Sequence, residues 1–256
     1  RDSSNPLGED FSIMRTLPLN GMLSSLAFNY SHRNKNVRLY ELGNVYLPHA
    51  LPLVELPDER MQFTLGMYGE GDFYVMKGVV EEFFDRAGLH GKTTYDPKAG
   101  KPFLHPGRQA NIVYEGQTVG YLGELHPQVA DNYEIGERAY VAVLDMPLIV
   151  EKATFDRKYT GIARFPAVTR DLSMVVPREI LAGEIEAMIV QRGGKILKSC
   201  QLFDVYEGSQ IKKGFKSMAY SLVFRANDKT LEETEISAAM KKILNGLSSM
   251  GIELRQ

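Results

Sequence analysis

The sequence is short of the residues that would tie it to a disulfide, a metal or a membrane. It has one cysteine, Cys200, in 256 residues, which excludes an internal disulfide and a cysteine zinc cluster. A lone thiol fits a reducing cytoplasm. No apolar run approaches the ~20 residues needed to span a bilayer, so no membrane partner is expected. The opening Arg1-Asp2-Ser3-Ser4-Asn5-Pro6 has neither an initiator Met nor an apolar signal core, and the chain reads as a piece of a longer one. There is no phosphate-cradling Gly-x-x-x-x-Gly-Lys-Ser/Thr and no Gly-x-Ser-x-Gly elbow. Gly69-Glu70-Gly71 is too short and isolated to cradle anything. His32, His49, His90, His105 and His126 lack metal-ligand spacing and read as surface or structural residues. Cys200 falls in a strand pattern with no histidine nearby, which favours a buried structural thiol. No catalytic, cofactor-binding or metal-binding residue is assigned.

What is present is globular. Hydrophobic residues make up 44% and charged residues 24%, values that support a packed core in one large domain or two ordinary ones. The net charge of −2 hides an asymmetry: residues 1–150 hold 13 Lys+Arg against 19 Asp+Glu, whereas residues 151–256 hold 17 against 13. An acidic part (net −6) joined to a basic part (net +4) points to two domains with different partners.

Periodicity predicts the elements. Asn5-Pro6-Leu7-Gly8 is a turn signal. A helix is expected over 19–33, with Leu19, Met22, Leu23, Leu26 and Tyr30 on one face. Strands follow at 37–47 and 61–68, separated by the proline-rich loop 48–57. A helix at 76–87 turns Val79, Val80, Phe83 and Phe84 inward and stops at Gly88. Residues 89–107 read as irregular. Strands at 109–115 and 118–124 meet at Glu115-Gly116-Gln117, a hairpin loop, and a strand at 139–145 completes an α+β domain over 1–150. Residues 147–163 lack pattern, and the linker is centred on 151–159. From 160 to 256 the order is β-α-β-β-α-β: strand 169–176, helix 180–192 (Leu181, Ile185, Met188, Ile189 inward), strands 196–206 and 215–225, helix 232–249 (Ile236, Met240, Ile243, Leu244, Leu247 inward) and a last strand at 252–254. This is the ferredoxin-like arrangement.

In that order both helices cover one face of a four-stranded sheet and leave the other free. Side chains alternate along a strand. In strand 215–225 Met218, Tyr220, Leu222 and Phe224 are expected to face the helices, and Ser217, Ala219, Ser221, Val223 and Arg225 the free side. In strand 196–206 Phe203 and Val205 are expected inward, and Leu202, Asp204 and Tyr206 outward. Such a surface suits unpaired RNA bases: an aromatic to stack on, a carboxylate to accept from base N–H groups, and small neighbours that let a base lie flat. Lys212, Lys213 and Lys216, in or beside the loop between Gly208 and Gly214, would attract phosphates. The bland alternatives are a surface tyrosine, an edge-protecting carboxylate and solvated lysines.

Arg164-Phe165-Pro166-Ala167-Val168-Thr169-Arg170-Asp171-Leu172-Ser173, Leu202-Phe203-Asp204-Val205-Tyr206-Glu207-Gly208 and Lys216-Ser217-Met218-Ala219-Tyr220, in that order over about 100 residues, resemble the ferredoxin-fold anticodon-binding domain that ends bacterial phenylalanyl-tRNA synthetase β chains. Upstream, Asn5-Pro6-Leu7, Met14-Arg15-Thr16, Arg38-Leu39-Tyr40-Glu41-Leu42-Gly43 and Gly120-Tyr121-Leu122-Gly123-Glu124-Leu125-His126-Pro127 are similar to that subunit's catalytic-like module. The resemblance implies a class II synthetase-like, non-catalytic antiparallel-sheet module over 1–150 and an anticodon-binding domain over 160–256. It implies a cytoplasmic α2β2 ligase that joins phenylalanine to tRNA-Phe with ATP and Mg2+, the active site lying on α and no cofactor on this piece. The stretch Tyr140-Val141-Ala142-Val143-Leu144-Asp145-Met146-Pro147-Leu148 has neither the glycines nor the Arg of a class II ATP site, and Arg108 reads as structural. The resemblance further implies that Tyr206 stacks on an anticodon base and that Ser217 lies at the contact, with Asp204, Lys216, Ala219 and Lys213 added as contact candidates.

Other classes stay open on sequence alone. A small-molecule-sensing ferredoxin-like domain requires a defined pocket, a self-sufficient single-chain synthetase requires a complete ATP site, and a subunit scaffold requires no RNA contact.

Overall fold

A computed structural model describes residues 12–89, 91–154 and 161–255, together with Gly8, Asp156 and Tyr159. The turn signal at Asn5-Pro6-Leu7 and the histidine at His90 lie outside the described residues. The chain divides into two compact units, Arg1–Lys158 and Tyr159–Gln256.

The first unit is built on a six-stranded antiparallel sheet in the order β1-β2-β6-β5-β4-β3, comprising β1 Val37–Leu47, β2 Asp58–Tyr68, β3 Thr93–Asp96, β4 Leu104–Tyr114, β5 Gln117–Leu125 and β6 Ala139–Asp145. Helix α1, Leu19–Ser31, buries Leu19, Met22, Leu23 and Leu26 against one side, with Tyr68, Val141 and Val143. Helix α2, Phe73–Arg86, buries Met76, Val80 and Phe84 against the other, with Leu122, Ala142 and Leu144. Strand β6 therefore has no solvent side, and its alternate residues feed two cores. This is why it reads as a continuous apolar run.

Helix α2 starts three residues earlier than its apolar pattern predicts, because the Asp72 carboxylate accepts from the backbone N–H groups of Tyr74 and Val75, both at 2.9 Å, a helix N-cap. Val79, expected inward, is 38% exposed, and Met76 takes its place in the core. The C-terminal stop is at Gly88, whose φ of +78° is a left-handed conformation open to glycine. It lets Gly88 N–H donate to Asp85 O at 3.1 Å and Leu89 N–H to Phe84 O at 2.9 Å, the paired bonds that satisfy a helix end.

Three elements among the described residues of the first unit were not expected. Strand β3 lies within the stretch read as irregular, where its four residues are too few to show a period. Helix α3, Pro127–Asn132, is capped by His126, whose ring accepts from Gln128 N–H at 3.2 Å. Helix α4, Met146–Lys152, occupies the start of the stretch read as patternless, and its Ile149 is buried in the α2-side core.

The second unit is a four-stranded antiparallel sheet in the order β10-β7-β9-β8, from β7 Val168–Pro177, β8 Leu197–Tyr206, β9 Phe215–Phe224 and β10 Glu253–Leu254. Helices α5, Ala182–Gly193, and α6, Glu233–Ser249, complete the β-α-β-β-α-β order. Ile185, Ile189, Ile236, Ile243 and Leu247 from the helices pack on Leu172, Met174 and Val176 of β7 and on Met218, Tyr220, Leu222 and Phe224 of β9. Leu181, expected inward, stands at the N-cap of α5 and is 43% exposed.

Cys200 lies opposite Leu222 on β8 and packs against this core. Burial, helped by the charge of Glu186, pushes its thiol up to about 12. The thiolate is the reactive form, so iodoacetamide should alkylate Cys200 at pH 8 at least ~10-fold more slowly in the native protein than in the denatured chain. Equal rates by mass spectrometry would contradict the burial.

Candidate nucleic-acid interface

The helix-free face of the second unit can be read from strand register. Along β9, Met218 and Tyr220 enter the helix-side core, so Ser217 and Ala219, which alternate with them, belong to the other side. Ser217 pairs with Val175 on β7 and with Tyr206 on β8; Ala219 pairs with Ser173 and with Asp204. On the far edge Glu253 stands opposite Val175, and Arg255 N–H bonds Ser173 O at 2.9 Å. Two rows thus cross the sheet: Glu253, Val175, Ser217, Tyr206, and Arg255, Ser173, Ala219, Asp204.

Within these rows Ser217 and Ala219 are floor residues, only 5% and 7% exposed. Arg255 reaches over the floor, its Nη1 donating to Ser217 Oγ at 3.2 Å. Asp204 is exposed. Tyr206 is 38% exposed, and its position rests on the residue two along the chain. A Cβ on Gly208 would overlap Tyr206 Oη and Cζ and lie 2.9 Å from Cε1. The hydroxyl end of the ring occupies the space that glycine leaves open. Neither Arg255 nor Gly208 was assigned a role from sequence. Counting alternation one residue past the final strand would have found Arg255; nothing in the motif shows what Gly208 does.

Two expectations for β8 fail for one reason. The pairing runs Leu202 to Tyr220 and then Asp204 to Ala219, so Phe203 is an extra residue without a partner on β9. This is a β-bulge, and it breaks strict alternation. Leu202, expected outward, packs against the helix-side core. Phe203, expected inward, is 56% exposed. Beyond the bulge, Val205 pairs with Met218 on the helix side but stays 48% exposed at the sheet edge.

Lys216 does not join the rows. It pairs with Val176, a helix-side residue, and its Nζ donates to Ile180 O at 2.7 Å and Arg178 O at 3.3 Å. Burial pulls its ammonium below the usual lysine range. Its role is to tie down the chain entering α5. Lys213 is exposed in the loop between β8 and β9, whereas Lys212 Nζ sits 5.4 Å over the Phe215 ring. At the rim, Arg178 pairs with Glu207 at 2.7 Å.

In the first unit Arg108 Nη1 donates to both carboxylate oxygens of Glu124, at 3.0 and 3.2 Å, and Glu124 is 3% exposed. Arg108 thus balances a buried charge. Three of the described histidines have local uses: His32 Nδ1 lies 2.7 Å from Phe28 O, His105 Nδ1 accepts from Gly107 N–H at 3.1 Å, and His126 caps α3. Among the described residues no group of three or more His, Cys, Asp or Glu is placed to hold a metal. The edge of the larger sheet carries an apolar surface instead. Strand β1 is the outermost strand of the sheet, with Asn44 O and Tyr46 N–H bonded by Arg15, and Tyr40, Leu42 and, on α1, Phe28 are 76%, 54% and 64% exposed. Phe28, Leu39 and Tyr40 line a groove of 620 Å³.

Comparison with known proteins covers both units. The family described as phenylalanyl tRNA synthetase beta chain CLM domain matches residues 3–146, and that described as ferredoxin-fold anticodon binding domain matches residues 163–255. The phenylalanine–tRNA ligase beta subunit of Clostridium acetobutylicum is 45% identical over 252 residues, and that of Clostridium tetani 42%; each alignment covers 98% of this chain and 32% of the relative. The chain spans about a third of the length of these curated relatives. A pyrrolysyl-tRNA synthetase of Desulfitobacterium hafniense superposes on 58% of this chain and 52% of its own with a TM-score of 0.46 at 10% identity. With one family model spanning more than half the chain and a second spanning nearly all the rest, the chain belongs to the phenylalanyl-tRNA synthetase β-chain family.

Proposed function

We propose that residues 160–256 bind the anticodon region of tRNA-Phe, and that residues 1–150 are a non-catalytic platform for the α subunit of an α2β2 phenylalanine–tRNA ligase. The observation that carries the first half is the helix-free face, where Tyr206 and Asp204 stand beside the small floor residues Ser217 and Ala219, with Arg255 reaching over Ser217. Tyr206 offers a ring for stacking. Asp204 accepts from base N–H groups and repels phosphate. Ser217 and Ala219 set the depth of the surface, and Lys213, on the loop beside it, is the candidate for backbone phosphate. Lys216 leaves the contact set, because its ammonium is spent on two backbone carbonyls.

The platform reading rests on the β1 edge, where Tyr40 and Leu42 are exposed on the α2 side and Phe28 on α1 itself; exposed apolar side chains along an outer strand mark a protein interface. Two features among the described residues of the first unit speak against an ATP–magnesium site there. Strand β6 carries no cation, and Arg108 is committed to Glu124. Nucleotide and metal chemistry is assigned to α, and the fragment alone is inactive. Among the described residues no helix is long and apolar enough to cross a membrane. A role in aminoacylation assigns the chain to the cytoplasm.

The test is binding of the chain to a phenylalanine-accepting tRNA at two salt concentrations, beside the same tRNA with its first anticodon base changed. The native anticodon should bind tighter, and affinity should fall as salt rises. Equal affinity for both tRNAs removes anticodon reading. Tyr206→Ala should weaken binding by ~1–3 kcal/mol, the worth of one stacked base, with circular dichroism unchanged. Lys216→Met should behave oppositely. It leaves the carbonyls of Arg178 and Ile180 without their donor and should cost about 1–2 kcal/mol in denaturant unfolding, yet leave the tRNA affinity of the folded protein unaltered. On the other unit, Tyr40→Asp combined with Leu42→Asp should reduce co-purification with the α subunit at least ~10-fold; undiminished capture would move the docking surface elsewhere.

A further inference from the structure

We propose that Phe203 is a second stacking surface on the helix-free face, so that one unpaired base is held between Phe203 and Tyr206 and not merely laid on Tyr206. The proposal rests on the anticodon-binding reading above and deepens it.

The bulge carries the argument. Leu202 lies on the helix side, opposite Tyr220. One step along the strand turns the next side chain over, so Phe203 leaves that core. In the common bulge the extra residue and the one after it face the same side, opposite a single partner residue. Here that pair is Phe203 and Asp204, and the partner is Ala219. Two further observations agree. Phe203 is 56% exposed and stands outside the helix-side core, while Leu202 and Cys200 before it pack there. Ala219 is only 7% exposed on a face with no helix, where Arg255 reaches over the floor from one side and the bulge pair stands opposite on the other.

Spacing then favours a slot. Tyr206 stands opposite Ser217, and the Phe203–Asp204 pair stands opposite Ala219, two residues along β9. At ~3.4 Å per strand residue Asp204 rises about 6.8 Å from Tyr206, and Phe203 on its far side at least that far; about 6.8 Å is twice the ~3.4 Å rise of stacked bases. That distance admits one base between them. Tyr206 is also held at a fixed place. Its hydroxyl end is set against Gly208, on the side of Tyr206 away from Asp204 and Phe203, so that contact does not fill the space between the two aromatic positions. Asp204 at the foot of the slot accepts from the edge of a base held there.

The test compares this chain with Tyr206→Ala, Phe203→Ala, Phe203→Leu and the Phe203→Ala/Tyr206→Ala double variant, each titrated with a phenylalanine-accepting tRNA at one low salt concentration and checked by circular dichroism. Phe203→Ala should weaken binding roughly 5- to 150-fold, as Tyr206→Ala does. Phe203→Leu should remain weakened, because it keeps apolar bulk and loses the ring face. The double variant should lose less than the product of the single losses, since both rings hold the same base. If Tyr206→Ala weakens binding and Phe203→Ala does not, the clamp is wrong and the anticodon reading survives. If Phe203→Leu binds like the parent chain, bulk and not stacking is what Phe203 supplies, and the clamp is again wrong. If neither alanine variant changes the affinity, both readings fall together. A Phe203→Ala chain that fails to fold would put Phe203 in the core and overturn the proposal outright.

Discussion

The second unit depends on β9 dividing its residues between two environments. Met218, Tyr220, Leu222 and Phe224 are sealed under two helices, each at most 2% exposed. Burying four large side chains stabilises the strand by several kcal/mol, and a slip of one residue would turn all four to solvent. That penalty fixes the register of the central strand and hence the height and position of Ser217 and Ala219 on the opposite side. The surface proposed to meet RNA is thus set by residues that never touch it. The same logic governs the first unit, where β6 is divided between the α1 core and the α2 core, so the strand cannot shift without damaging both.

Where sequence and structure agree, the residues concerned are those this constraint touches most strongly. Strands β1 and β6 lie where their apolar patterns place them, and the inward residues of β9 are the ones alternation names. Long periodic segments against a core leave few alternatives. The legible part of the candidate site is therefore the part that inherits its register from β9, namely Ser217, Ala219 and the residues paired with them.

What was not legible is local. The bulge at Phe203 adds one residue to β8 without any glycine or proline to mark it, so alternation counted through it puts Leu202 and Phe203 on the wrong sides. Lys216 looks like a free loop cation until the carbonyls of Arg178 and Ile180 are seen beside it, 38 and 36 residues away in sequence. Helix α4 begins with Met146-Pro147 and has a single buried residue, too little for a period. The Tyr206–Gly208 contact depends on a volume that is absent, which composition cannot reveal.

The bulge has a further consequence, for solubility. Strand β8 is the outer strand of its sheet, and its exposed Phe203, Val205 and Tyr206 form the kind of apolar margin onto which stray strands add. Pairing along β8 is interrupted twice, near Lys198 and at Phe203. An incoming chain that matched β8 over one stretch would fall out of step at the next, and its hydrogen bonds could not propagate. Strand β1 pairs with β2 without interruption over eleven residues, and Arg15 covers its outer edge at Asn44 and Tyr46 but not along the regular stretch before them. Of the two margins, the aromatic one can stay open to solvent in an isolated molecule, whereas the regular one is the margin that calls for a permanent cover.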